Sequence, residues 1–271
     1  DFTEIGLDDE TLRKSGRIII VACGTAYHAG LAAKYAFERT LGIPVEADIA
    51  SEFRYRDPIV NPGDLIILIS QSGETADTLA ALRLGRSKGA RILAITNVVG
   101  STISREADAV FYTWAGPEIA VASTKAYTTQ LMALSLLLIA IGRAHGTLSD
   151  DRCDALLGEL GQMESLAEQV LKSEPKLAHF AHLHSSIEHA YYLGRNLDYA
   201  VALEGSLKLK EISYIHSEAF PAGELKHGPI ALIERGTLVV ALCTQPALYE
   251  KIASNIREVR ARGARVLIIA R

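Results

Sequence analysis

The chain has 271 residues, of which 49% are hydrophobic and 22% charged, and its formal net charge is −4. Such a length suffices for one large domain or two ordinary ones, and the composition is that of a globular protein. The slight negative charge argues against a basic surface for nucleic acid or an anionic membrane. Cys23, Cys153 and Cys243 form no Cys-x-x-Cys pair, and the first residues lack a signal-peptide pattern. We therefore expect reduced thiols and a cytoplasmic location.

Short β-branched segments in the first half of the chain predict strands. In chain order they are "RIIIVAC" (17–23), "DLIILIS" (64–70), "ARILAIT" (90–96) and "AVFYTWA" (109–115). Helical patterns lie between them, and this alternation predicts a parallel sheet with helices on both faces. Such sheets bind ligands where their strands end. The longest apolar run, "LMALSLLLIAI" (131–141), is too short to span a bilayer and predicts a buried helix.

The same pattern recurs in the second half of the chain. "GARILAIT" (89–96) returns as "GARVLIIA" (263–270), "NPGDLIILI" (61–69) as "ERGTLVVAL" (234–242), and "IIVACG" (19–24) matches "AYYLGR" (190–195) in pattern. We predict two similar α/β domains, 1–146 and 147–271. The second begins with a linker helix, and we expect it to be incomplete at its C-terminal end, because it has no counterpart of 97–144.

The stretch "LIILISQSGETADT" (65–78) ends an apolar strand in small polar residues and contains no lysine. A strand that turns into a helix here presents backbone N–H groups at the positive end of the helix dipole. Ser70, Ser72 and Thr75 add hydroxyls and Gln71 an amide, a donor set that fits a phosphate monoester. The alternative is that Ser72 or Thr75 only caps the helix. The second copy reads "LCTQPALYE" (242–250) and has lost most of these donors, so we expect only the first copy to bind an anion.

Two further stretches could close the same pocket. "ACGTAYHAG" (22–30) and "AVASTKAYTTQ" (120–130) place Thr25 and Ser123 before predicted helices. Helix capping explains each of them equally well.

The segment "YAVALEGSLKLKEISYIHSEAF" (199–220) is helical in its first two-thirds by pattern and has one charged stripe. Glu204, Lys208 and Glu211 fall within a sector of about 60°. Apolar residues flank that sector: Val201, Leu203, Leu207 and Ile212. These flanks favour a buried stripe suited to proton transfer over a surface Glu–Lys pair. His227, in "AGELKHGP" (222–229), is another candidate acid or base.

Four histidines in the second half are possible metal ligands: His179, His182, His184 and His189. Their spacing is irregular, and no cysteine or paired carboxylate accompanies them. A polar helix face is therefore favoured over a metal site.

Four motifs together resemble one enzyme family. "SQSGETADT", "EIAVASTKAYTTQ", "ALEGSLKLKEISYIHSEAF" and "AGELKHGPIALI" are similar to the isomerase part of the glucosamine-6-phosphate synthases (isomerising glutamine:fructose-6-phosphate aminotransferases), over essentially the whole chain. The first motif is shared with sugar-isomerase (SIS) domains generally, and the last two are more specific. The resemblance implies two flavodoxin-like SIS domains, a homodimer, and binding of fructose 6-phosphate or glucosamine 6-phosphate. It implies neither a metal nor an organic cofactor.

The resemblance also implies roles for particular residues. The phosphate would be held by Ser70, Gln71, Ser72 and Thr75, and the sugar would contact Thr25, Val121 and Ser123. Glu211 would move a proton between C1 and C2, Lys208 would assist with Glu204 as its neighbour, and His227 would open the sugar ring in the partner subunit.

Departures from the family pattern qualify these expectations. Ala26 stands where some members have a serine, so one phosphate donor is missing. No glutaminase domain and no C-terminal tail with its Schiff-base lysine are expected here, so we predict that the chain binds sugar phosphates but isomerises them poorly. Two alternatives share the hydroxyl loop: another SIS-domain phosphosugar isomerase or deaminase, and a sugar-phosphate sensor.

Overall fold

The computed structural model describes residues 2–271, the first two of them as backbone only. The chain divides into two compact units, 1–160 and 161–271. Helix Asp150–Leu160 packs against helix Lys125–Ala144 and so belongs with the first unit. The domain boundary predicted from the sequence, between residues 146 and 147, lies before this helix. It stays a prediction about where the two sequence repeats meet.

The first unit has a five-stranded parallel sheet within the described residues. Its strands are β1 (Ile18–Ala22), β2 (Val45–Ile49), β3 (Leu65–Ser70), β4 (Arg91–Thr96) and β5 (Ala109–Tyr112). They pair in the order β2-β1-β3-β4-β5, the flavodoxin-like order. The four predicted strands are confirmed. The fifth, β2, lies at the sheet edge, and its half-buried sequence "VEADI" lacks the apolar run of a central strand.

Helices cover both faces of this sheet. They are α1 (Asp9–Lys14), α2 (Gly24–Leu41), α3 (Ala50–Phe53), α4 (Ala76–Ser87), α5 (Thr102–Glu106), α6 (Lys125–Ala144) and α7 (Asp150–Leu160). Alternate strand residues point to opposite faces. Ile20 and Ile67 pack with α2 and α6, whereas Val21 and Ile66 pack with α3 and α4.

The apolar run 131–141 lies in α6, as predicted. By length and composition alone, Lys125–His145 could also cross a membrane. Its Leu134, Leu137 and Ile141 are buried in the core beside α2, which accounts for the apolar sequence.

The second unit repeats the arrangement of the first. Its strands are β6 (His189–Gly194), β7 (His216–Pro221), β8 (Leu238–Cys243) and β9 (Arg265–Ala270). Its α-helices are α8 (Met163–Leu171), α9 (Glu174–Leu183), α10 (Leu197–Ser213) and α11 (Tyr249–Ala261). The parallel order β7-β6-β8-β9 matches β2-β1-β3-β4, so the predicted internal repeat is confirmed.

Candidate functional site

The loop between β3 and α4 is folded by its own hydroxyl groups. Ser70 Oγ accepts a hydrogen bond from Gly73 N–H at 3.1 Å and lies 3.2 Å from Thr75 Oγ1. Ser72 Oγ accepts from Glu74 N–H, also at 3.2 Å. Three hydroxyls thus shape one turn, which we call the hydroxyl loop (70–75).

Gly73 is required by this geometry. Its φ is +68°, a conformation that residues with a side chain rarely adopt. A Cβ at this position would lie 2.2 Å from Ser101 Oγ and 2.9 Å from Ile103 Cγ2. Any larger residue would therefore have to displace the loop from the start of α5.

The capping alternative for the hydroxyl loop is wrong. Thr75 is the N-cap residue of α4, but in the described structure its side chain makes no capping hydrogen bond. Cys23 at the start of α2 likewise makes none. Backbone N–H groups in the first turn of a helix lack helical partners, so both helix ends are suited to an anion.

The loop and these two helix ends border a cavity of about 230 Å³. Its lining consists of Cys23, Thr25, Ala26, Ile69, Ser70, Gln71, Ser72, Thr75, Thr78, Ser123 and Gln130. Six of the seven predicted substrate-binding residues are in this set. The seventh, Val121, is not, and it is 97% exposed. Whether Val121 contacts a ligand remains a prediction.

The lining residues of this cavity are uncharged. Glu74, the acidic residue of the loop, is not among them: its carboxylate accepts from Thr102 N–H at 2.7 Å at the start of α5. This hydrogen bond lowers the pKa of Glu74 below its ordinary value. An anion in the cavity would thus meet hydroxyls, amides and helix ends without a lining carboxylate.

Asn97 joins the hydroxyl loop to the segment after β5. Its N–H donates to the Gln71 carbonyl at 3.1 Å. Its side-chain Oδ1 accepts from Ala115 N–H at 2.8 Å, and Nδ2 donates to the Gly116 carbonyl at 2.7 Å. Asn97 therefore links the hydroxyl loop to Ala115 and Gly116, just beyond β5.

The charged stripe of the second unit is assembled on α10. Lys208 Nζ lies 2.5 Å from Glu211 Oε2 and 3.5 Å from Glu204 Oε1. The Glu204 side chain is 7% exposed and that of Glu211 28%, so the stripe runs from a buried carboxylate to an accessible one.

The predicted burial of the flanking residues is wrong for Val201 and Ile212, which are exposed. The buried face of α10 is formed instead by small residues, among them Ala200, Ala202 and Ser206, where the helix packs on β6 and β7. Small side chains contribute little to the hydrophobic periodicity of the sequence. The large flanking residues therefore determined the predicted buried face.

The histidines named from the sequence have two predicted roles: His227 is a candidate acid or base, and the other four are possible metal ligands. His227 is exposed at the end of a 3₁₀ helix, Ala222–His227, and Lys226 beside it forms an ion pair with Glu258 at 3.0 Å. His184 Nδ1–H donates to the Phe180 carbonyl at 2.8 Å. Within the described residues, no three histidine, cysteine or acidic side chains are grouped as metal ligands.

Comparison with known proteins identifies the family. The SIS domain model matches residues 11–140 and 183–271, which together make up most of the chain. The chain belongs to the SIS domain family. The two matched segments carry the two sheets described above, so each sheet is the core of an SIS domain.

The most similar SIS proteins include a glutamine–fructose-6-phosphate aminotransferase (isomerizing) from Caldanaerobacter subterraneus subsp. tengcongensis. It is 58% identical over 98% of this chain, and the chain spans 44% of its length. The C-terminal domain of glucosamine-fructose-6-phosphate aminotransferase from Francisella tularensis is 45% identical, with a TM-score of 0.95 over 97% of this chain and 74% of that one. A putative phosphosugar isomerase from Silicibacter pomeroyi is 29% identical, with a TM-score of 0.82 over 95% and 76%.

Sequence reasoning missed three polar residues that line the SIS cavity: Cys23, Thr78 and Gln130. Thr78 lies in the first turn of α4 and Gln130 in the second turn of α6, so both lie just beyond the loop residues on which the prediction relied. A signal for Gln130 exists in the sequence, because it is a lone amide at the start of an apolar run. A polar residue on a buried helix face requires a partner.

Proposed function

We propose that the chain is the sugar-phosphate isomerase part of an isomerizing glutamine–fructose-6-phosphate aminotransferase. In this reaction fructose 6-phosphate and ammonia, released from glutamine elsewhere, give glucosamine 6-phosphate and water. The observation that carries the proposal is the uncharged cavity where the hydroxyl loop meets the first turns of α2 and α4. The aminotransferase relatives add support, since they match nearly the whole chain.

The proposal assigns the phosphate to the hydroxyl loop. A phosphate dianion only accepts hydrogen bonds, so it needs protons that the loop does not use itself. Ser70 and Thr75 use one of their two hydroxyl protons in their mutual bond, and Ser72 accepts from Glu74 while keeping its own proton. Gln71 adds its amide, and the first turn of α4 adds N–H groups. The sugar would then contact Thr25, Ser123 and Val121.

The proton transfer is assigned to Glu211. Once ammonia has replaced the C2 carbonyl oxygen as an imine, removal of a proton from C1 and its return at C2 leave an aldehyde at C1 and an amine at C2. One carboxylate can perform both steps. Lys208, which contacts Glu211 and is backed by Glu204, would stabilise the charge that develops, and His227 would open the ring.

The partners follow from the same proposal. The protein would act in the cytoplasm as a homodimer, with the His227 loop serving the neighbouring subunit. The reaction as proposed uses neither metal nor organic cofactor, because the base, the acid and the phosphate ligands are all groups of the protein chain.

The test is thermal unfolding of the chain with and without glucosamine 6-phosphate. A ligand that binds only the folded state at a hundredfold excess over its Kd stabilises by about 2.7 kcal/mol. We expect this shift in the wild type and its loss in Ser72→Ala/Thr75→Ala. Ser87→Ala is the control, because its hydroxyl bonds the Leu84 carbonyl at the other end of α4. A shift that persists unchanged in the double variant would contradict the assignment.

A second candidate is a phosphosugar isomerase that uses another substrate, which the similarity to the Silicibacter pomeroyi protein favours. Such an enzyme would share the phosphate site and the glutamate base. A panel of ketose and aldose phosphates separates the two: stabilisation by another sugar phosphate, with none by fructose 6-phosphate or glucosamine 6-phosphate, supports this candidate.

A further inference from the structure

Two polar atoms, buried within residues that line the cavity, have no hydrogen-bond partner within the described part of the chain. They are Thr78 Oγ1 and Gln130 Oε1. The two residues are 1% and 3% exposed. A buried polar group without a partner costs free energy of folding, so such groups are uncommon and call for a reason.

Several other buried polar residues of this unit do have partners, although Ser101 Oγ, outside the cavity lining, has none within the described residues. Asp64 accepts from Asn61 N–H at 2.8 Å, and Ser70 accepts from Gly73 N–H. Thr78 and Gln130 come from α4 and α6, which cover opposite faces of the sheet, and yet both border the same cavity. Their shared position points to a ligand as the missing partner.

Of the two α2 residues that line the cavity, only Thr25 brings a side-chain hydroxyl. Ala26 lines the cavity there and brings no polar atom. Helix α6 packs against α2, and its Gln130 lines the same cavity. Rotation of the amide about its last side-chain bond exchanges Nε2 and Oε1, and Nε2 can then donate where Ala26 cannot.

We propose that Thr78 and Gln130 are further ligand-binding residues of this cavity, and that both donate hydrogen bonds to the phosphate group. This inference rests on the proposed function and extends its phosphate site. The Thr78 hydroxyl and, after rotation of the amide, Gln130 Nε2–H would each donate to a phosphate oxygen. Without ligand, the Thr78 hydroxyl and the Gln130 amide keep a polar atom buried without a partner, which lowers the free energy of unfolding.

This arrangement predicts opposite effects on folding and on binding. Thr78→Val and Gln130→Met keep the approximate shape of each side chain and remove its polar atoms. Without ligand, both variants should unfold at the same temperature as the wild type or at a higher one. Each substitution removes a buried polar atom that has no partner, and with it the desolvation cost of that atom. Their affinity for glucosamine 6-phosphate should fall about tenfold or more, as expected for a hydrogen bond to a charged group.

The experiment is isothermal titration of glucosamine 6-phosphate, and separately of inorganic phosphate, into the wild type and both variants. Thr78→Ser retains the hydroxyl and should restore affinity. Ser135→Ala is the matched control on α6, because its hydroxyl donates to the Leu131 carbonyl at 2.8 Å and does not line the cavity. Ligand-free unfolding midpoints are measured on the same preparations. Should Gln130→Met fail to fold, Thr78→Val with its serine rescue decides the matter.

The outcomes separate this inference from the proposed function. Weaker binding of both ligands without a loss of ligand-free stability supports the inference. Wild-type affinity in both valine and methionine variants overturns it and leaves the proposed function intact. A lower midpoint with unchanged affinity also overturns it, because that result marks a purely structural role. If the wild type itself binds neither ligand, the proposed function and the inference fail together.

Discussion

At Lys208, two carboxylates of unequal exposure share one ammonium group. Glu211 is the nearer, at 2.5 Å, and Glu204 is the more buried. Glu204 pairs with Lys208 at i, i+4, and separating a buried ion pair is costly because it leaves a charge without its partner. Glu211 can leave its own pair toward solvent or a ligand at lower cost. The more accessible carboxylate is therefore the better candidate for a base that must reach a substrate carbon.

Replacement of Glu211 by glutamine tests this assignment. Glutamine keeps the shape but cannot take a proton, so exchange of the C1 proton of fructose 6-phosphate with solvent deuterium should slow by about 10²- to 10⁴-fold. Proton NMR over many hours detects this exchange even at low turnover. Sugar-phosphate affinity should change little, because the phosphate site lies in the first unit's loop.

The control for that experiment is Glu188→Gln, an exposed glutamate outside the stripe. Exchange in Glu211→Gln at the wild-type rate would rule out Glu211 as the base and direct attention to His227.

At the scale of elements, the two copies of the β–loop–α unit differ in what occupies the turn after the strand, β3 in the first copy and β8 in the second. In the second copy, the residue after the strand is Thr244, whose N–H and hydroxyl donate to the buried carboxylate of Asp198 at 3.0 and 2.5 Å. Burial, with Asp198 as a smaller cause, also raises the pKa of the neighbouring Cys243 thiol. In the second copy, the Asp198 carboxylate therefore occupies the hydrogen-bond donors at the end of the strand. In the first copy, the equivalent place borders an open cavity. This agrees with the expectation that only the first copy binds a phosphate.

Gly73→Ala tests whether the backbone shape of the hydroxyl loop is needed. The positive φ and the contact with Ser101 should together cost about 2 kcal/mol or more in the free energy of unfolding, and phosphate binding should be lost. Gly63→Ala is the matched control: its φ is +91° but a Cβ there meets no atom within 4 Å. It carries the backbone strain alone and should retain binding. Chemical denaturation and titration with glucosamine 6-phosphate measure both effects, and full affinity in Gly73→Ala would count against the loop.

At the scale of the whole molecule, the sequence predicts best what depends on local pattern. Buried strands such as β3 are continuous apolar runs, and the repeat follows from comparing those runs. The donors of the hydroxyl loop are consecutive, so they were found as well. Gln130 was missed because tertiary packing alone brings α6 to the cavity, whereas Thr78 lies three residues beyond Thr75, the last loop residue that the prediction used. The prediction that Val201 and Ile212 are buried was wrong because α10 packs through small residues. Small residues contribute little to a hydrophobic pattern, so the large exposed ones determined it.

The most direct test of the central claim, that the hydroxyl loop holds the phosphate of a sugar phosphate, is a crystal structure of the chain grown with glucosamine 6-phosphate. We predict phosphate density in the cavity of about 230 Å³, within hydrogen-bonding distance of Ser72 and of the first turn of α4. A cavity that contains only water at saturating ligand, or a phosphate bound elsewhere on the chain, would contradict the account.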